Sequence, residues 1–193
     1  NLLKIASAAQ LEGFYYYPRI DHEFLASHSE GLIATSGCMA AEIPRAIERG
    51  RIEEARKKID WYFDVFGQDN FFLELQEHDI PELENINKVL LEIGPRYQAK
   101  YVATNDVHYI QPSDAKLQDI LLAVQTGSLL SDPNRMKMSS LSYYLRTPQE
   151  MAEIFSEVPE ALSNTLWIAD RCEVDLDFKG YHLPDFPVPE GHD

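Results

Sequence analysis

The chain has 193 residues, 45% hydrophobic and 25% charged, a composition that supports a folded core and excludes a disordered tail or a fibrous repeat. Seventeen basic residues against 32 acidic ones leave a formal charge of -15, so the average surface repels nucleic acid and any such contact has to be local. Two cysteines, Cys38 and Cys172, are too few for a disulfide framework and point to a reducing compartment, and no stretch approaches the ~20 apolar residues that span a bilayer.

From Asn1 onward, Leu2, Leu3, Ile5, Ala6 and Ala9 recur at helical spacing, so an amphipathic helix is expected at the outset, with no signal-peptide pattern. Gly13 is a stop signal, Phe14 to Pro18 an aromatic connector, and Asp21 the expected N-cap of a short helix. Gly31 to Gly37 is an apolar run bounded by glycines, the pattern of a buried strand. Pro44 fits the first turn of a helix ending near Arg49. A longer helix is expected over about Arg51 to Phe66, with Ile52, Ala55, Ile59, Tyr62, Phe63 and Phe66 on one face and Gly67 closing it.

A second strand is predicted over Phe71 to Gln76. Pro81 then opens a helix whose core face is Leu83, Ile86, Val89, Leu90 and Ile93. The third strand is Tyr101 to Thr104, after which Ser113 is predicted to cap a helix carrying Leu117, Ile120, Leu121 and Val124. Strands alternating with helices specify an α/β fold with a parallel sheet, either a barrel or a doubly wound sheet. Three strands are too few to close a barrel, and the abrupt ends at Asn1 and Asp193 are those expected of a piece of a longer protein.

The composition shifts after Gly127. Ser131 to Arg135 reads as a turn and Met136 to Leu145 as a loop with a short strand. Thr147-Pro148-Gln149-Glu150 is a capping box that starts a helix through Phe155. Pro159 starts another, with Leu162, Leu166 and Ala169 on one side. From Glu150 to the end there are eleven acids and two bases, read as a solvated helical face. Residues 1–126 are thus expected to form one domain and 127–193 a mostly helical segment following it.

In parallel α/β folds chemistry gathers at the carboxyl ends of the strands. Those ends carry Ser36-Gly37-Cys38, Gln76-Glu77-His78-Asp79 and Thr104-Asn105-Asp106-Val107-His108-Tyr109. Asp106 and His108, two apart, face one cavity if the extended backbone continues past Thr104, and a carboxylate with an imidazole suits Zn²⁺, Mn²⁺ or Fe²⁺. Cys38 reads either as a small buried hydrophobe or as a thiolate ligand. His78 is open to the roles of rim ligand, general acid or base, or plain loop residue. Glu74 points away from Leu73 and Leu75, toward either a helix-side ion pair or the rim. No Gly-rich phosphate loop, Cys-x-x-Cys, His-Glu-x-x-His or Gly-x-Ser-x-Gly occurs. A Cys38–His108 thiol pair, as in a small hydrolase, stays open but leaves Asp106 without a task.

Several ordered segments carry a more specific signal. Glu30 to Cys38 with Glu42-Ile43-Pro44, Phe72 to Gln76, and Val102 to Tyr109 resemble the bacterial replicative DNA polymerase III alpha subunits of family C. So do Asp132 to Arg135, Pro148-x-Glu150-Met151, Pro159 to Leu162 with Asn164-Thr165, and Leu183-Pro184-x-Phe186-Pro187. The resemblance implies that the first part of the chain is the later half of a PHP (polymerase and histidinol phosphatase) domain, an irregular βα barrel, and that residues from about 127 lead into the polymerase region. Metal-retaining members of the family hydrolyse phosphoesters and are associated with 3′→5′ proofreading. Members that have lost the ligands use the domain as a support and docking platform.

Carried over residue by residue, the resemblance makes Cys38, Asp106 and His108 metal ligands, with Glu74 and His78 at most beside them. It places the remaining ligands upstream and the polymerase's catalytic aspartates downstream. It implies Zn or Mn at the PHP site, held weakly or not at all by this segment alone, and Mg for polymerisation. DNA, deoxynucleotides and other replisome subunits are the implied partners, in the cytoplasm and away from membranes. A structural or protein-docking role without catalysis is the alternative that the acidic surface favours.

Overall fold

A computed structural model describes residues 1–175, 180, 187–189 and 191; most of the Leu183-to-Pro187 motif, with His182 and His192, lies outside the described residues. At its centre is a parallel sheet of order β1-β2-β3, made of Ala34–Thr35, Phe71–Leu75 and Lys100–Ala103. Thr35 pairs with Phe72, and Leu73 and Leu75 pair with Tyr101 and Ala103. The sheet is not closed into a barrel. The architecture is an α/β fold on an open parallel sheet, followed by a mostly helical region.

The middle strand is apolar on both faces because both are covered: Phe71, Phe72 and Leu73 have no exposure. The first strand is shorter than the Gly31-to-Gly37 run predicts. Gly31 and Gly37 both take φ of +76°, and the Leu32 N–H closes a turn onto the Ser29 carbonyl, which leaves two residues in ladder geometry. One further bond, from the Ser36 N–H to the Phe72 carbonyl (2.9 Å), carries pairing up to the tip. On the other edge the Thr104 N–H reaches the Leu75 carbonyl (3.0 Å).

Helices α1 (Leu2–Leu11), α2 (His22–Ser27), α3 (Glu42–Glu48), α4 (Ile52–Phe66) and α5 (Pro81–Ile93) follow the expected order. Asp21 caps α2 by accepting the Phe24 N–H at 2.8 Å, and Pro81 sits in the first turn of α5. Ile43 and Ile47 of α3, Ala55 and Ile59 of α4, and Ile86 and Leu90 of α5 form one core with Phe71, Leu73 and Leu75.

Helix α6 (Ala115–Gln125) departs from expectation at its start. Ser113 does not cap it: the residue lies inside a 3-10 turn over Pro112–Asp114, and the capping box is made by Gln111 and Asp114. Leu117, Leu121 and Val124 are exposed, at 59%, 60% and 73%, and Ile120 is only at the margin; Leu122 and Ala123 are the buried residues. The amphipathic stripe is real, but no other described element covers it.

Helix α7 (Pro148–Ile154) begins at the expected capping box, with Thr147 Oγ1 accepting the Glu150 N–H and Glu150 accepting the Thr147 N–H at 2.7 Å. Helix α8 (Glu160–Arg171) folds back on the sheet: Asn164 donates to the Tyr101 carbonyl (2.8 Å) and Trp167 meets Phe72 edge-on at 5.6 Å. Its buried residue is Ala161, while Leu166, on the side shared with Leu162 and Ala169, is 70% exposed. Phe155, Val158 and Ala161 join the core built by the sheet. Among the described residues no helix is long and apolar enough to cross a membrane.

Candidate metal site

Parallel pairing brings the carboxyl ends of all three strands to one rim. Just below it, Glu74 ties the sheet together. Thr35 Oγ1 donates to Glu74 Oε2 (2.6 Å), and Thr104 Oγ1 and Gln76 Nε2 (2.9 Å) donate to Oε1. The Glu74 N–H donates to Ser36 Oγ at 2.8 Å. Every strand, or the residue directly after it, contributes a donor to this one half-buried carboxylate, so Glu74 belongs to the sheet's own polar seam and makes no helix-side ion pair among the described residues.

At the tip of β3 the chain turns rather than continuing extended, because Asp106 takes φ of 43°. Aspartate tolerates this left-handed region better than most residues. The pair still meets: Asp106 Oδ1 lies 3.4 Å from His108 Nε2, and each side chain is 39% exposed. The facing expected from alternation is therefore achieved by a turn. Cys38 is a free, exposed thiol after β1, with β2 between it and the Asp106–His108 pair. Two strand spacings amount to about 10 Å, and among the described residues no three His, Cys, Asp or Glu side chains are grouped to hold one ion.

His78 is buried behind the rim. It is 1% exposed, its Nδ1 is 2.9 Å from Ser142 Oγ, and its ring stacks on Tyr143 at 4.1 Å. Its buried Nε2 has no hydrogen-bond partner among the described residues. Burial, reinforced by the Arg146 guanidinium, pushes the imidazole below its ordinary range, against an opposing pull from Asp106.

The loop that presents Asp106 and His108 is held from outside by residues 142–145, a contact that motif reading did not find. The His108 and Tyr109 N–H groups both donate to the Tyr143 carbonyl, at 2.8 and 3.3 Å. Asn105 Nδ2 donates to the Tyr144 carbonyl at 2.6 Å, and the Leu145 N–H donates to Tyr109 at 3.0 Å. A second unassigned cluster surrounds Glu42. Burial alone raises its carboxyl, but hydrogen bonds from Lys58, Tyr62 and His22 outweigh that and leave it below the usual range. His22 also stacks on Trp61 at 4.2 Å.

With this geometry in hand, the comparisons with known proteins are specific. The PHP domain family matches residues 1–78. The DNA polymerase III subunit alpha of Borreliella burgdorferi is 44% identical over 190 residues, 98% of this chain and 16% of the relative. The Thermus aquaticus subunit is 44% identical over 197 residues, covering 99% of the chain and 16% of the relative. That of Mycobacterium tuberculosis is 40% identical over all of the chain and 17% of its own length. Over nearly its whole length the chain is similar to one stretch of these DNA polymerase III alpha subunits. It spans about a sixth of the length of these relatives, and Asp106 and His108 fall after the stretch that the PHP domain family matches.

The donors fit a divalent transition metal in kind, since carboxylate oxygen, imidazole nitrogen and thiolate sulfur suit Zn or Mn. In number they supply a part of a shell: two converging donors at one strand tip and a third at another.

Proposed function

We propose that the chain is part of a DNA-directed DNA polymerase, a nucleotidyltransferase of bacterial replication. In this reading residues 1–126 form the later half of a PHP domain and 127–193 the connection into the polymerase region. Its setting is the cytoplasm, its partners are DNA, deoxynucleotides and other replisome subunits, and Mg serves polymerisation elsewhere in the protein. Cys38, Asp106 and His108 hold divalent metal, Zn or Mn, in a phosphoesterase site of the 3′→5′ exonuclease type, together with donors from parts of the relatives that this chain does not span.

The observation that carries the site assignment is the 3.4 Å approach of Asp106 Oδ1 to His108 Nε2. A divalent ion held there supplies an activated water and stabilises charge on the leaving oxygen of a phosphodiester. Asp106 contributes the hard oxygen and orients the imidazole, whose neutral form offers nitrogen to a cation. Cys38 contributes sulfur from the far edge of the sheet. Catalytic sites need about three protein ligands for each ion, so the 193-residue segment alone is inactive and binds metal weakly.

Elemental analysis of the full-length polypeptide tests this. Stoichiometric transition metal that falls on Cys38→Ala and on Asp106→Ala is expected; full retention by both variants overturns the ligand assignment. The lack of a three-donor group among the described residues and the charge of -15 favour a second reading, a structural or docking module without catalysis. Full-length protein that purifies and remains active in polymerisation without any transition metal selects that reading.

A further inference from the structure

The least explained group near the rim is His78. An imidazole at 1% exposure with one nitrogen unpartnered is costly to keep in a core, and an apolar residue of similar size fills such space without that cost. Its contacts run in one direction. Nδ1 meets Ser142 Oγ, itself 2.8 Å from Ser140 Oγ, and the ring lies on Tyr143 with planes 20° apart. Tyr143 in turn touches His108 twice: its carbonyl takes the His108 N–H at 2.8 Å, and its ring meets the His108 imidazole nearly perpendicular at 5.4 Å. On the other side Arg146 donates to the Glu77 carbonyl at 2.7 Å, which locks the same segment to the tip of β2.

We propose that His78 is a positioning residue for the Asp106–His108 pair, acting through Ser142 and Tyr143. The His78 ring backs the Tyr143 ring, and the bond to Ser142 fixes the plane of that stack. Tyr143 then sets both the backbone and the ring orientation of His108, so that Nε2 faces Asp106. Two strand tips, β2 through His78 and β3 through His108, are clamped by one segment from the carboxy-terminal third of the chain. The proposal rests on the metal-site reading, and groups that orient a metal-binding imidazole typically change metal affinity 10–100-fold when removed.

Mn²⁺ serves as the probe, because paramagnetic broadening reports proximity even at weak occupancy. In the 193-residue chain, substoichiometric Mn²⁺ is expected to broaden the His108 ring resonances ahead of those of His28, and Asp106→Asn to abolish the preference. His78→Ala is expected to need about tenfold more Mn²⁺ for the same broadening. His78→Phe, which keeps the stack, returns to within about threefold of the parent, the size of one lost hydrogen bond. Ser142→Ala leaves the ring in place and carries the test at that smaller size should His78→Ala fail to fold. Leu90→Val, destabilised in the core away from the rim, keeps the parent's Mn²⁺ response. If His78→Ala and Ser142→Ala both broaden like the parent while Asp106→Asn does not, positioning is overturned and the metal reading stands. If His108 in the parent is not preferentially broadened at all, the metal reading falls and this proposal with it.

Discussion

Glu74 offers the sharpest test of how the rim is held together. Its carboxylate takes donors from Thr35, Thr104 and Gln76, one from each strand or the residue after it. Hydrogen bonds to a charged group contribute about 1.5–3 kcal/mol each. The site is half-buried, so water recovers part of what the stranded hydroxyls lose, and Glu74→Ala is expected to cost about 2–4 kcal/mol. For a domain of this size that corresponds to a fall of about 4–16 °C in Tm. Glu74→Gln keeps the shape but turns an amide N–H₂ toward the donors, at a cost of about 1–2 kcal/mol. Urea unfolding followed by far-UV circular dichroism measures both. Thr35→Val made in the Glu74→Ala background is expected to cost about 1 kcal/mol less than the same change in the parent, because its partner is already gone. A Glu74→Ala penalty below about 0.5 kcal/mol, the range of an ordinary surface change, refutes the view that this carboxylate ties the strands.

Two further outcomes follow from burial. His78 titrates below its ordinary value of 6.5 when folded because burial and then Arg146 disfavour its cation, with His108 acting the same way and Asp106 against it. The unfolded chain therefore binds the extra proton first. The stability is whole above pH 6.5 and is lost as pH falls from there through the folded pKa. Unfolding free energies measured at several pH values are expected to show a loss as pH falls below 6.5 that shrinks in His78→Phe, and an equal loss in both proteins contradicts it. On α6, Leu121→Ser and Val124→Ser are each expected to change stability by no more than about 0.5 kcal/mol. Leu90→Ala, at a fully buried position, costs about 2–5 kcal/mol, and the contrast is read by the same urea titration.

What the sequence made legible was whatever is decided locally. Asp21, Pro81 and the Thr147–Glu150 box mark helix starts because capping involves residues three apart, and all three stand where expected. The order β1-β2-β3 followed from alternating strands and helices, which leave a parallel sheet as the economical topology. Burial on α6 and α8 was not legible, because a hydrophobic stripe specifies a face but not its partner. Leu121 and Leu166 satisfy the helical period and are exposed all the same, while Ala123 and Ala161, small enough for close approach, are the residues that pack.

The candidate site divides along the same line. Asp106 and His108 were found because they are two residues apart, although the turn at Asp106, not an extended strand, brings them face to face. His78 could not be placed, since its burial is created by Ser142 and Tyr143, some 64 positions further on. A motif shows which donor types arrive at a strand tip; the angle at which they arrive depends on the segment packed behind the tip. Here that segment belongs to the stretch expected to lead away from the sheet, yet its Tyr143 carbonyl accepts the N–H groups of both His108 and Tyr109. Displacement of residues 142–145 therefore acts directly on the loop that carries the imidazole of His108.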